Sequence, residues 1–134
     1  MQMLNQINNI IVAPYFNLSE FSCPCCHRVM LHPKLLVKLI GLRKIIGKPI
    51  HITSGYRCLA YNRKVGGAAN SYHLIGLAAD IQVKGINLIE LLDYAEEIDF
   101  AGIGFYKKKN FLHLDVRPTK RIRWREKVEL EKIE

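Results

Sequence analysis

Two alternating runs joined by a polar turn constrain this 134-residue chain more than any other stretch: Gly102 to Tyr106, then Phe111 to Val116, around Lys107 to Asn110. Period-2 alternation describes a strand with one buried face, and two such runs four residues apart close as an antiparallel hairpin. In the second run Leu112, Leu114 and Val116 fall on the core side, so Phe111, His113, Asp115 and Arg117 fall on the other. A histidine between two core leucines therefore points away from the core, which argues against a packed structural role.

The hairpin needs helices to cover its apolar face. One is expected from His32-Pro33 to Ile46, with proline at the first helical position, Leu35, Leu36, Leu39, Ile40, Leu42 and Ile46 inward, and Gly47 as its stop. A second spans Leu88 to Ile98, with Leu88, Leu91, Leu92 and Ala95 inward. Residues 49–53 and 77–83 read as strands, the latter sending Asp80 and Gln82 to one face and Ala79, Ile81 and Val83 to the other. Between them Ser54 to Arg57 turns the chain into a short helix from Leu59 to Val65, followed by a flexible loop at 66–70. Residues 14–20 read as an extended lead-in, and the charged last fifteen residues as a partly frayed helix or tail. The pattern predicts an α+β fold, helices packed on a small, mostly antiparallel sheet, in a single domain over 1–134 with about 1–13 and 120–134 as peripheral tails.

Charge and cysteines limit the function classes. The net charge is +8, and between Glu20 and Asp80 there are nine Lys and Arg residues and no carboxylate. Such a stretch attracts polyanions, nucleic acid or an anionic wall polymer, although a solvated surface has the same composition. Specific nucleic-acid binding is disfavoured, because interleaved aromatics and a reading motif are missing. Cys23, Cys25 and Cys26 crowd into four residues, with Cys58 apart, a poor framework for disulfides; they read as reduced thiols in a tight turn. The alternative is a structural zinc site from Cys23, Cys25, Cys26 and His27, joined by Cys58, but CPCCH lacks the two separated knuckles of a zinc ribbon.

The chemistry-bearing stretch is Ser71-Tyr72-His73-Leu74-Ile75-Gly76-Leu77-Ala78-Ala79-Asp80, with His113-Leu114-Asp115 downstream. A catalytic zinc usually takes three protein ligands from histidine and carboxylate and keeps one position open. His73, Asp80 and His113 supply such a set, and Gly76 lets the backbone turn so that the first two reach one ion. Taken alone, a histidine and an aspartate seven residues apart are common.

The string SGYRCLAYNRKVGGAANSYHLIGLAADI with FLHLDVR downstream resembles the M15 zinc peptidases, the D-alanyl-D-alanine carboxypeptidases and related wall endopeptidases that include phage endolysins. Their pattern is S-x-H-x-x-G-x-A-x-D with a later histidine, and the likeness, to subfamily A of these peptidases, covers roughly residues 16–124. It implies the fold of the hedgehog and D-Ala-D-Ala peptidases, one zinc per chain held by His73, Asp80 and His113, and Arg57 binding a substrate carboxylate or the developing oxyanion. Ser71 and Tyr72 would add substrate hydrogen bonds, although hydroxyls in such loops often cap the local backbone. Zinc would polarise the scissile carbonyl and acidify water, and a guanidinium would hold an oxyanion or carboxylate.

In one respect the sequence departs from the family. Many relatives carry a general base two or three residues before the last ligand, where this chain has Phe111 and Asn110. Asp115, on the same strand face, is expected either as that base or as hydrogen-bond partner to a ligand. The implied activity is hydrolysis of peptidoglycan peptides by a monomer, as carboxypeptidase or endopeptidase; the alternative is a zinc-bearing, inactive wall-binding or phage structural module. The apolar runs are far shorter than the roughly 20 residues of a membrane span. The first fourteen residues do not read as a secretory signal. The expectation is therefore cytoplasmic synthesis, with holin-type release to the wall as for a phage or prophage lysin.

Overall fold

The computed structural model describes residues 7–126. Strands β1 (Ile11–Ala13) and β2 (Phe16–Asn17) form a small hairpin, and a 3-10 turn follows at Leu18–Phe21. Helix α1 (Pro33–Ile46), β3 (His51–Ser54), helix α2 (Leu59–Lys64), a second 3-10 turn (Tyr72–Ile75), β4 (Ala78–Gln82), helix α3 (Leu88–Ile98), β5 (Gly102–Tyr106), β6 (Phe111–Asp115) and β7 (Ile122–Arg125) complete the order. The main sheet runs β3-β4-β6-β5-β7, antiparallel except for the parallel pair β5 and β7. This is the α+β architecture the alternation required.

Local chemistry accounts for the helix ends. His32 caps α1, its Nδ1 accepting from the Lys34 amide at 3.1 Å, and Gly47 closes the helix in the left-handed region at φ 71°. Asn87 caps α3 through a 2.8 Å bond from the Glu90 amide. Leu35, Leu39, Leu42 and Ile46 of α1 and Leu91 and Ala95 of α3 pack with Ile52, Ala79, Ile81, Ile103, Leu112 and Leu114 in one core. Burying side chains of this size stabilises by roughly 1.5–3 kcal/mol each, so this layer holds the sheet rigid. Its polar face is left free for chemistry.

Two segments differ from expectation. Residues 11–13 of the expected N-terminal tail pair with the lead-in as a hairpin that ends in a capping box, in which the Asn17 side chain accepts from the Ser19 amide and Glu20 accepts from the Asn17 amide at 2.7 Å. Part of the expected C-terminal tail is strand β7, which completes the sheet edge; residues 127–134 lie outside the described residues. Its four residues, IRWR, are too few to show a period, and their charges resemble a solvated tail. Contacts outside the segment hold it: Arg123 bonds Glu96 at 2.8 Å and the carbonyls of Phe100 and Ala101 at 3.0 Å. Trp124 packs over Gly104, where any β-carbon would collide with the indole.

Candidate metal centre and cleft

Register brings the central pair together. β4 and β6 align Asp80 opposite His113, so both side chains leave the same face as neighbours. His73 arrives from the 3-10 turn, where Ser71 Oγ accepts from its amide at 3.2 Å. Gly76 then turns the chain into β4 at φ 75°, so close to the Met30 backbone that a side chain would not fit.

Asp80 Oδ1 lies 3.1 Å from both His73 Nε2 and His113 Nδ1. One donor atom from each of the three residues lies within 4.8 Å of the others, and all three side chains are largely shielded from solvent. The outward nitrogens are engaged as well. His73 Nδ1 sits 2.7 Å from the Gly55 carbonyl, which can only accept, so Nδ1 donates there and Nε2 is the nitrogen that faces Asp80. His113 Nε2 lies 2.8 Å from Asp115 Oδ2, an arrangement that leaves Nδ1 facing Asp80.

Asp115 is fully buried behind His113 and receives the Arg117 amide at 3.1 Å, Arg117 Nε at 2.9 Å and Arg117 Nη2 at 2.7 Å. Gly102 across the strand pair makes room for it, because a β-carbon there would overlap the carboxylate. The other Asp80 oxygen accepts from Arg57 Nη2 at 3.1 Å, and Arg57 also bonds Ser54 at 3.0 Å and Asn62 at 3.2 Å. Every side chain of the cluster is thus oriented from two sides.

The electrostatics follow from these contacts. Burial opposes the charged form of Asp80, but His73 and His113 beside it outweigh burial and hold its carboxyl well below the usual range. Burial likewise opposes ionisation of Asp115, and hydrogen bonds from Arg117 and His113 more than offset it, again lowering the pKa. Burial works against the His113 cation, yet bonds to Asp115 and Asp80 prevail and raise its pKa. Without a metal, the gap between two carboxylates is therefore a place for a positive charge. Two imidazole nitrogens and a carboxylate oxygen that face one another, with outer hydrogen bonds holding both rings, fit zinc, which would replace the protons there.

A cavity of about 460 Å³ opens over the cluster, lined by Arg57, Ser71, Tyr72, His73, Asp80 and His113 among others. These six sequence-selected residues share one site. Asp115, the seventh, does not line the cavity. Lining residues that the sequence did not single out for the site include Arg117, Tyr106, Lys109 and Trp124. Arg117 lies 4.6 Å from the Tyr72 ring centroid, and Trp124 packs 5.0 Å from His113 while donating to Tyr106 Oη at 2.9 Å. The signal for Arg117 was its place on the polar side of the alternation, two residues beyond the end of β6. For Trp124 the only signal was the single tryptophan of the chain, in a segment read as tail.

Comparison with known proteins agrees with this geometry. A family model for Peptidase M15 matches residues 14–115, and the chain belongs to that family. It is 33% identical over 97 residues to the peptidoglycan L,D-endopeptidase MepK of Escherichia coli K12, a match covering 67% of this chain and 53% of that protein. The probable peptidoglycan L,D-endopeptidase MepK of Haemophilus influenzae is 32% identical over 98 residues, with the same coverage. A 45-residue segment, 33% of this chain and 18% of the relative, is 47% identical to the zinc D-Ala-D-Ala carboxypeptidase of Streptomyces albus G. The chain spans about half the length of the MepK proteins it matches. Among the described residues, no helix is long and apolar enough to cross a membrane.

Proposed function

We propose that the chain is a zinc-dependent peptidase that hydrolyses peptide bonds of bacterial peptidoglycan, with His73, Asp80 and His113 holding one catalytic zinc. The observation that carries this reading is the tautomer control: Gly55 O and Asp115 each engage the outward nitrogen of a histidine whose other nitrogen faces Asp80. The activities by which the relatives are named, on peptidoglycan or on D-Ala-D-Ala, support the substrate class. Zinc in such a site supplies Lewis acidity, polarising a carbonyl and acidifying water.

The chain's own residues then divide the work. Asp115 orients His113 and does not act as base, because its oxygens are taken up by His113 and Arg117 on the side of the ring away from the cavity. Arg57 fixes Asp80 and presents a guanidinium at the cavity wall, while Arg117 and Lys109 add positive charge for a peptide carboxylate. Ser71 is occupied as a cap; Tyr72 offers its phenol to substrate. Among the described residues, Ser71, Tyr72, Tyr106 and Lys109 are the lining groups outside the histidine and aspartate cluster that carry a hydroxyl or ammonium proton.

A second reading, a zinc-bearing wall-binding module without catalysis, draws on one observation. Among the described residues, Asp80 is the only carboxylate that lines the cavity, and it belongs to the cluster. Digestion of purified peptidoglycan separates the two. Zinc-loaded protein should release fragments whose masses identify the bond cut, and chelator should stop it. Protein that pellets with peptidoglycan and releases nothing would favour the binding module.

A further inference from the structure

A second constellation lies outside the cleft. Ligand sulfurs of Cys23, Cys26 and Cys58 all lie within 4.8 Å of one another, and the Cys23 and Cys58 sulfurs are 3.7 Å apart. That spacing is far beyond a disulfide bond of roughly 2.0 Å. It is close to the separation of about 3.8 Å between two thiolates on one tetrahedral zinc with Zn–S bonds of roughly 2.3 Å.

The backbone prepares this arrangement. Cys23 and Cys26 have C-x-x-C spacing in a tight turn closed by two 2.8 Å bonds, from the His27 amide to the Cys23 carbonyl and from the Cys23 amide to the Arg28 carbonyl. His27 takes a left-handed φ of 61° to complete it. Cys58 arrives from elsewhere, as the cap of α2, because Gly55 lets the chain pass against the Phe21 backbone, with the Tyr56 amide bonded to the Phe21 carbonyl at 2.8 Å. Cys23 is buried and Cys26 and Cys58 are partly so, whereas Cys25 is exposed. Burial disfavours the Cys23 thiolate, but hydrogen bonds from the backbone of Cys58, Cys26 and Cys25 outweigh it.

We propose that Cys23, Cys26 and Cys58 hold a second zinc ion through three thiolates, with water completing the tetrahedron. Soft thiolates select thiophilic ions such as zinc, and a C-x-x-C turn joined by a distant cysteine is a common way to assemble one. The ion ties the N-terminal turn to the segment carrying Arg57, the immediate neighbour of Cys58 and the partner of Asp80. It thereby positions the cavity wall from behind. The thiol site and the His73, Asp80 and His113 cluster are separate, so either assignment can fail without the other.

The test uses the full chain purified under reducing conditions, with zinc and cobalt as probes. Two zinc ions per chain are expected. Two equivalents of cobalt should give an intense near-ultraviolet sulfur-to-cobalt charge-transfer band. His113→Ala should keep one metal and the whole band; Cys26→Ser should lose the band and keep one metal. If Cys26→Ser does not fold, wild type and His113→Ala decide, since neither alters a cysteine. One metal with no charge-transfer band in wild type, a band unchanged in folded Cys26→Ser, or a Cys23–Cys58 disulfide in place of metal uptake would each overturn the site.

Discussion

The two clusters of this molecule achieve order by different means. In the cleft, His73, Asp80 and His113 each answer to an outer partner: the Gly55 carbonyl, Arg57 and the Asp115–Arg117 pair. In the cysteine turn the sulfurs have few side-chain partners, and a backbone loop closed by two amide bonds sets Cys23 and Cys26. The difference teaches where each site is vulnerable. Imidazole and carboxylate donors are aimed by neighbours, so the cleft should fail when a residue behind a ligand changes, whereas the thiol turn should depend on the cysteines themselves.

The largest effect should come from removing a cleft ligand. His113→Ala should abolish peptidoglycan hydrolysis and most metal uptake at that cluster, measured by metal content and fragment release. Preserved hydrolysis would remove His113 from the assignment. Next in size is Asp115→Asn, which changes no cavity-lining group. Zinc affinity should fall by roughly 10 to 100-fold, with turnover restored by added zinc. If zinc is instead retained while turnover drops by about 10²-fold or more, Asp115 is the general base and the comparison between ligands and their buttresses breaks.

Gly102→Ala reaches the same buttress from the neighbouring strand. Its β-carbon would press on the Asp115 carboxylate, so a loss of roughly 1–3 kcal/mol in denaturant melts is expected, with weakened zinc binding. Unchanged stability and zinc affinity would show that Asp115 has room to move.

The smallest effect concerns protons. His113 has its pKa raised above 6.5 in the metal-free protein, so its charge stabilises that form fully below 6.5, and the contribution is lost as pH rises through the raised value. Asp80 and Asp115, with lowered pKa values, stabilise above the ordinary carboxylate range and lose that only in strong acid. Chelator-treated protein should therefore lose stability on passing from mildly acidic to alkaline pH, while zinc affinity rises over the same range. Thermal melts and zinc titrations at several pH values check both signs. The opposite trend would mean that His113 is neutral between the two aspartates.

Much of the site was legible because it sits on regular elements. Alternation in FLHLDV fixed the face of His113, and LAADIQV fixed that of Asp80, so their juxtaposition needed only the β4–β6 pairing. Position in the strand also put Asp115 beside His113, but period alone could not say whether its carboxylate faced the cavity or the far side of the ring. Arg117 decides that, through a bidentate contact invisible in a spacing pattern. Trp124 and the edge strand were lost because a four-residue parallel strand depends on Gly104 and Glu96, far away in sequence. Spacing alone could not show that Cys58, 35 residues from Cys23, brings its sulfur within 3.7 Å, because only the tertiary fold supplies that contact.

The most direct test of the central claim is a zinc titration of chelator-stripped protein during peptidoglycan digestion, run on wild type and on His73→Ala, Asp80→Asn and His113→Ala. Wild-type hydrolysis should be absent without metal, rise with added zinc and saturate once the cleft is filled, and each variant should stay inactive at that zinc level. Undiminished hydrolysis by stripped wild type, or by any of the three variants, would contradict it.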